Sequence, residues 1–352
     1  MLARLTAALL LFASSAVHAL DITGAGSSAA QPLYAKLADA SVKHGAAKLN
    51  YQPVGSAAGI RQIKQGSVDF GASDVALGAQ ELNQDQLVCF PTAISGVVPV
   101  VNLGGVKSGE LQLSGELLAD IYARKIKMWN DPRLLAVNPR VALPASAIVV
   151  LARSDGSGTT YNFSDYLSRV SPAWKRDYGR NFSIAWAGQI VAAKGSGGMV
   201  AALKQTPGAI GYVDFSYVVR DKLAYARVRN ADGQFVAPSA QGFAAALDNS
   251  AWQSRGAYEE MLTDKPGAAT WPITMGTFVI VPKVAARPDA MIATLKFFTW
   301  GFLYGDTIIG GMNFVRLPDR VQARIFSEFA TIRDARGQSL NWSLSELINS
   351  PP

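Results

Sequence analysis

The sequence predicts an α/β fold with largely parallel sheets flanked by helices, and three observations predict it. Short apolar runs bounded by glycine alternate along the chain with stretches of helical period. Three of those runs pass through a turn of glycine and serine straight into a helix. A hydrophobic content of 49%, with 32 glycines and 17 prolines, belongs to a globular chain and not to a disordered one.

The first segment, "MLARLTAALLLFASSAVHALD", reads as an export leader. Arg4 precedes an apolar stretch from Leu5 to Ala13, and small residues then lead to "VHA". That stretch is too short for the roughly 20 residues of a membrane span. Cleavage is expected after about Ala19, giving an exported chain, and no cysteine stands at the cut to carry lipid. The single cysteine, Cys89, precludes an intramolecular disulfide and is expected to be a small core residue. About 330 residues remain, enough for two ordinary domains, and the formal charge falls from +7 to +6 when Arg4 leaves. The basic residues are scattered, with no dense run, so a small anion fits this balance better than nucleic acid.

"LDITGAG" reads as a strand, followed by a helix opened by Pro32 with a stripe of Leu33, Tyr34, Leu37 and Val42. "KLNYQPV" is a second strand, with a helix after "GSAAG" through Ile60 and Ile63. "SVDFGASD" is a third, ending at Asp74. "GVVPVVNL" (96–103) and "TFVIVP" (277–282) are buried apolar strands. "AIVVLA" runs into "RSDGSGTTY" (153–161), and Phe163, Tyr166, Leu167 and Val170 then recur at helical spacing.

The glycine turns carry the functional signal. "GAGSSA" (24–29) formally matches a dinucleotide fingerprint, but no acidic residue follows where a ribose partner is needed. What remains is a helix N-terminus whose N–H groups and dipole favour an anion, or a simple serine cap. "GSAAG" (55–59) repeats the arrangement, and "RSDGSGTT" repeats it with Arg153 added. Three such loops, each after a strand, are expected to converge on one crevice. "KGSGGM" (194–199) is a weaker fourth because no clear strand precedes it.

Chemistry is missing from this set. A serine nucleophile at Ser157 needs a base, and the chain after the leader offers only His44, placed as a cation at a helix end. The glycines lack the elbow spacing of a hydrolase and the lysine of a nucleotide loop. No metal motif occurs, and no cofactor is expected. Asp74 is the odd residue, since a carboxylate near anion-binding turns should repel the ligand. Either it caps a turn, or it accepts a proton that the ligand still carries. Phosphate keeps such a proton near neutral pH, whereas sulfate does not.

The segments "TGAGSSAAQPLYAKLADA", "VGSAAGIRQIKQGSVDFGASD", "LARSDGSGTTYNFSDYL", "TPGAIGYVDFSY" and "TWPITMGTFVIV" resemble the periplasmic phosphate-binding protein of the Pst-type phosphate ABC transporter, in the family's order. The resemblance implies a two-lobed, type II-like periplasmic binding protein, with ligand in the cleft between lobes joined by crossing strands. It implies Ser28 as a hydroxyl donor, Ala29 as a main-chain donor and Ser56 as the serine of the second turn. Asp74 would accept the phosphate proton, Arg153 would supply charge and Asp155 would orient it. Ser157, Gly158 and Thr159 match donors at a helix start. Two turns depart from the common pattern. The first has Ser-Ala-Ala where many relatives have Thr-Phe-Pro, which keeps a hydroxyl and an N–H but loses an aromatic cover. The second has "SAAG" in place of "SSGG". The expected division is a leader at 1–19, one lobe from 20–97 with 278–352, and a second lobe at 98–277. The expected partners are inorganic phosphate and an inner-membrane phosphate ABC permease, with the protein a monomer. Rival readings are a phosphate-binding signalling or surface protein without transport, and a secreted serine hydrolase.

Overall fold

The computed structural model describes residues 21–44, 46–255 and 258–349. The expected leader lies outside them. Eight strands position everything that follows: β1 (Ile22–Gly26), β2 (Leu49–Gln52), β3 (Phe70–Ser73), β4 (Leu87–Asn102), β5 (Val149–Arg153), β6 (Val191–Ala193), β7 (Ala209–Asp214) and β8 (Thr274–Pro282). Their order in space is β2-β1-β3-β8-β4-β7-β5-β6. β1 lies parallel to β2 and β3, and β5 lies parallel to β6 and β7. The antiparallel pairings occur where β8 and β4 enter the middle. The α/β expectation is met.

β4 runs further than its sequence suggests. The apolar run from Gly96 is only its second part, and the first part, from Leu87, contains Pro91. A bulge accommodates the proline: Thr277 pairs with Ala93 and Phe278 with Pro91, leaving Thr92 without a partner in the ladder. The Thr92 hydroxyl instead donates to the Thr277 carbonyl and bonds the Tyr34 hydroxyl. From Leu87 to Gly96 the strand pairs with β8, and from Val97 to Asn102 with β7. One chain segment thus serves two halves of the sheet.

Helices cover both halves. In the first, α1 (Gln31–Ser41) and the helix Pro288–Tyr304 set Tyr34 and Phe298 edge to face with Phe70 and Phe90 of the sheet, while α2 (Ser56–Lys64) packs Ile60 and Ile63 against Leu77, Leu87 and Ile280. Phe90 is wholly buried, which contributes about 1.5–3 kcal/mol. Val42 is not part of the α1 stripe. It falls in a following 3₁₀ turn and is 45% exposed, because the helix has already ended at Ser41. In the second half, α3 (Gly158–Val170) buries Phe163 against the Tyr122 and Tyr212 rings. Cys89 is half-buried and packs against the core as a small residue.

Candidate functional site

The C-terminal ends of the parallel strands point into one place, as expected for an α/β sheet. β1 ends before Ser27, β3 before Asp74, β5 at Arg153, β6 before Lys194 and β7 at Asp214. The turn after β2 arrives beside them, since Gly55 donates its N–H to the Gly26 carbonyl. Gly55 has φ of +94°, and a Cβ there would lie 2.4 Å from the Asp155 carboxylate. Only glycine lets that turn approach so closely.

Loops from the two halves of the sheet touch directly. Ser28 Oγ lies 2.9 Å from Ser196 Oγ and accepts from the Ser196 N–H at 3.0 Å. Tyr217 donates its hydroxyl to the Ser28 carbonyl, and Ala57 donates its N–H to the Gly156 carbonyl. Gly158 is packed so tightly that a Cβ would lie 2.5 Å from Ser56 Oγ and 2.7 Å from Asp74 Cβ. Ser28, Ser56, Asp74, Arg153, Asp155, Ser157, Gly158 and Thr159 are thereby brought into one buried cluster.

Asp74 sits at its centre. Its Oδ1 accepts from Ser27 Oγ at 2.5 Å and from Thr277 Oγ1 at 3.4 Å, while its own N–H donates to Ser56 Oγ at 3.2 Å. Burial pushes its carboxyl up to about 7, against the lowering effect of the Ser27 bond and of Arg153. The turn-cap alternative fails because Ser73, not Asp74, accepts from the Val75 N–H. Asp214, buried opposite, is raised to about 6 by burial despite bonds from Ser216.

Arg153 is held as a fork. Its Nε donates to Asp155 Oδ1 at 2.7 Å and its Nη2 to Asp155 Oδ2, with side chains 2% and 9% exposed. Asp155 also accepts from the Gly195 N–H. Its carboxyl lies below the usual range, since Arg153 outweighs the opposing effect of burial. Ser157 caps α3 by accepting from the Thr160 N–H, so helix geometry leaves the Gly158 and Thr159 amides without an intrahelical carbonyl. The Thr159 hydroxyl is buried and has no partner. In the first turn it is Ser27, not Ser28, that caps, accepting from the Ala29 and Ala30 N–H groups at 3.1 and 3.3 Å.

Sequence reasoning missed Asn162, Tyr217 and Thr277, weighed Ser27 only as a cap, and placed Ser196 only in the weakest of the four loops. Asn162 was legible one turn beyond Gly158, and donates to the carbonyls of both Asp74 and Gly158. Ser196 lies in the fourth glycine loop, at the start of α4 (Gly195–Gln205). That loop does follow a strand, β6, which is only three residues long.

The model of the PBP superfamily domain matches residues 13–302. The phosphate-binding protein PstS of Pasteurella multocida is 42% identical over 325 residues, covering 92% of this chain and 94% of its own. The chain belongs to the PstS family. The PstS of Haemophilus influenzae is likewise 42% identical, over 89% of this chain and 94% of its own. A high-affinity periplasmic phosphate-binding protein solved with phosphate has a TM-score of 0.68, at 22% identity, over 95% of this chain and all of its own. That likeness shows the two-lobed fold expected from the sequence. Within this PstS-family chain, the ring of His44 stacks on Trp300, at 5.9 Å between centroids. Among the described residues no group of three His, Cys, Asp or Glu side chains is placed to hold a metal, and no helix is long and apolar enough to cross a membrane.

Proposed function

We propose that this chain captures inorganic phosphate and delivers it to an inner-membrane ABC permease. One observation carries the reading: a buried carboxylate, Asp74, stands among hydroxyls and helix-end amides that only donate to an anion. A tetrahedral anion that still carries a proton uses both kinds of partner. Ser28, Ser56, Ser157 and Thr159 donate from hydroxyls, and Gly158 and Thr159 from the main chain, while the Ala29 N–H, expected to join them, is taken by Ser27 Oγ. Arg153 supplies the charge, held in place by Asp155. The relatives' shared name, phosphate-binding protein PstS, supports the same ligand.

The protein is a carrier and not an enzyme, exported to the periplasm, cut after about Ala19 and left without lipid. It acts as a monomer. Its lobes divide at 20–97 with 278–352 and at 98–277, a division supported by the change of partner along β4 between Gly96 and Val97. Pairing of β8 from Thr274 favours a second crossing a few residues before 278. A serine hydrolase is disfavoured because the base it needs is missing: His44, the one histidine after the leader, is stacked on Trp300. Calorimetric titration of the mature protein with phosphate, sulfate and molybdate tests the reading. Tight binding of phosphate alone is expected, and a protein indifferent to phosphate sinks it.

A further inference from the structure

Ser27 belongs to none of the ligand-donor assignments above, yet it makes the shortest contact to Asp74. Its oxygen accepts two backbone N–H groups, from Ala29 at 3.1 Å and Ala30 at 3.3 Å. Both lone pairs of a hydroxyl oxygen are then occupied, and its single hydrogen has one destination, Asp74 Oδ1 at 2.5 Å. Thr277 donates to the same oxygen. A proton on Oδ1 would find no acceptor in Ser27.

We infer that Ser27 is a specificity-determining positioning residue: by fixing its hydroxyl as a donor to Oδ1, it keeps Asp74 an acceptor, so that the protein refuses fully ionised anions. The inference rests on the phosphate reading and deepens it. If Asp74 were protonated, it would donate to sulfate and the discrimination would vanish. The other ionisable groups that act on Asp74 are Asp214, Arg153, Tyr34 and Tyr51. Asp214 favours the neutral carboxyl and Arg153 the charged one. The tyrosines are raised by burial and stay neutral. Burial has already brought Asp74 close to neutrality, so loss of the Ser27 hydroxyl moves its titration further up.

The test compares wild type with Ser27→Ala and Ser27→Gly, both lacking the hydroxyl, by calorimetric titration with phosphate and with sulfate from pH 5.5 to 8.5. In wild type the ratio of sulfate to phosphate dissociation constants should fall as pH drops through the Asp74 titration. In both variants the midpoint of that fall should rise by about one pH unit, and the ratio at pH 7 should drop about tenfold. The Asp74 carboxyl resonance, followed by NMR without ligand, should move in the same direction. Equal weakening of both anions at every pH, with midpoint and resonance unmoved, would leave Ser27 as a turn-former and overturn the inference alone. A wild type that binds no phosphate overturns the functional reading itself.

Discussion

The guanidinium of Arg153 is immobilised before any anion arrives, because Asp155 already takes two of its donors. Little side-chain entropy is then lost on binding, and each charge-assisted bond contributes about 1.5–3 kcal/mol. Arg153→Ala should weaken phosphate at least tenfold by calorimetry, and an unchanged dissociation constant removes Arg153 from the site. For Asp74 the expected signature is selectivity. An ionised carboxylate facing bare sulfate in a buried site should cost about 4 kcal/mol, a factor of a thousand. Asp74→Asn supplies a donor in its place and should narrow that gap in competition binding at pH 8; equal gaps in the two proteins would refute the assignment. Asp214 predicts a pH effect on stability. Its folded pKa, about 6, lies above its ordinary 3.8, so the folded state holds the proton more tightly. That contribution is complete below about pH 4 and is lost as pH rises through 6, a change of roughly 3 kcal/mol. Asp214→Asn should reduce the slope of stability between those pH values in urea melts, leaving the part due to Asp74, and a slope identical to wild type would show that Asp214 does not titrate there.

Elements explain both what the sequence disclosed and what it withheld. Period and glycine placement revealed β1, β2, β3 and β5, together with the helices that follow β1, β2 and β5, since each signal is local. The cluster of Ser28, Ser56, Asp74 and Arg153 was legible for the same reason: strand ends of an α/β sheet converge. Ser196 was not, because a three-residue strand carries too little pattern, and its partner Ser28 is 168 residues away. Likewise the first half of β4 went unread, and the bulge that seats Pro91 there is a property of two paired strands and not of one. The start of α3 offers a test at this scale. Alanine is acceptable to a helix start, so Gly158→Ala should not unwind α3. Its Cβ would nevertheless strike Ser56 and Asp74 across the site. Phosphate affinity should therefore fall at least tenfold; undiminished affinity would mean that the loops need not meet this closely.

At the scale of the whole molecule, direct bonds such as Ser28 to Ser196 and Ala57 to Gly156 describe two halves drawn together. A ligand between them should make that arrangement the dominant one. Phosphate is expected to reduce the radius of gyration in small-angle scattering and to raise the melting temperature. Confirmed binding without any change in dimensions would point to a preformed pocket.

The position of β8 also has a consequence in time. It lies between β3 and β4 and pairs with both, yet it is the last of the eight strands to be synthesised. A chain growing from its N-terminus has made β1 to β4 long before their central neighbour exists. Until residue 282 emerges, β3 and the first half of β4 each expose an unpaired edge. The second half meets β7 sooner, so its part of the sheet can assemble first. Half of the molecule must wait, with sticky edges open, for a strand some 170 residues downstream of the end of β4. The last third of the sequence thus decides when the first third can complete its sheet.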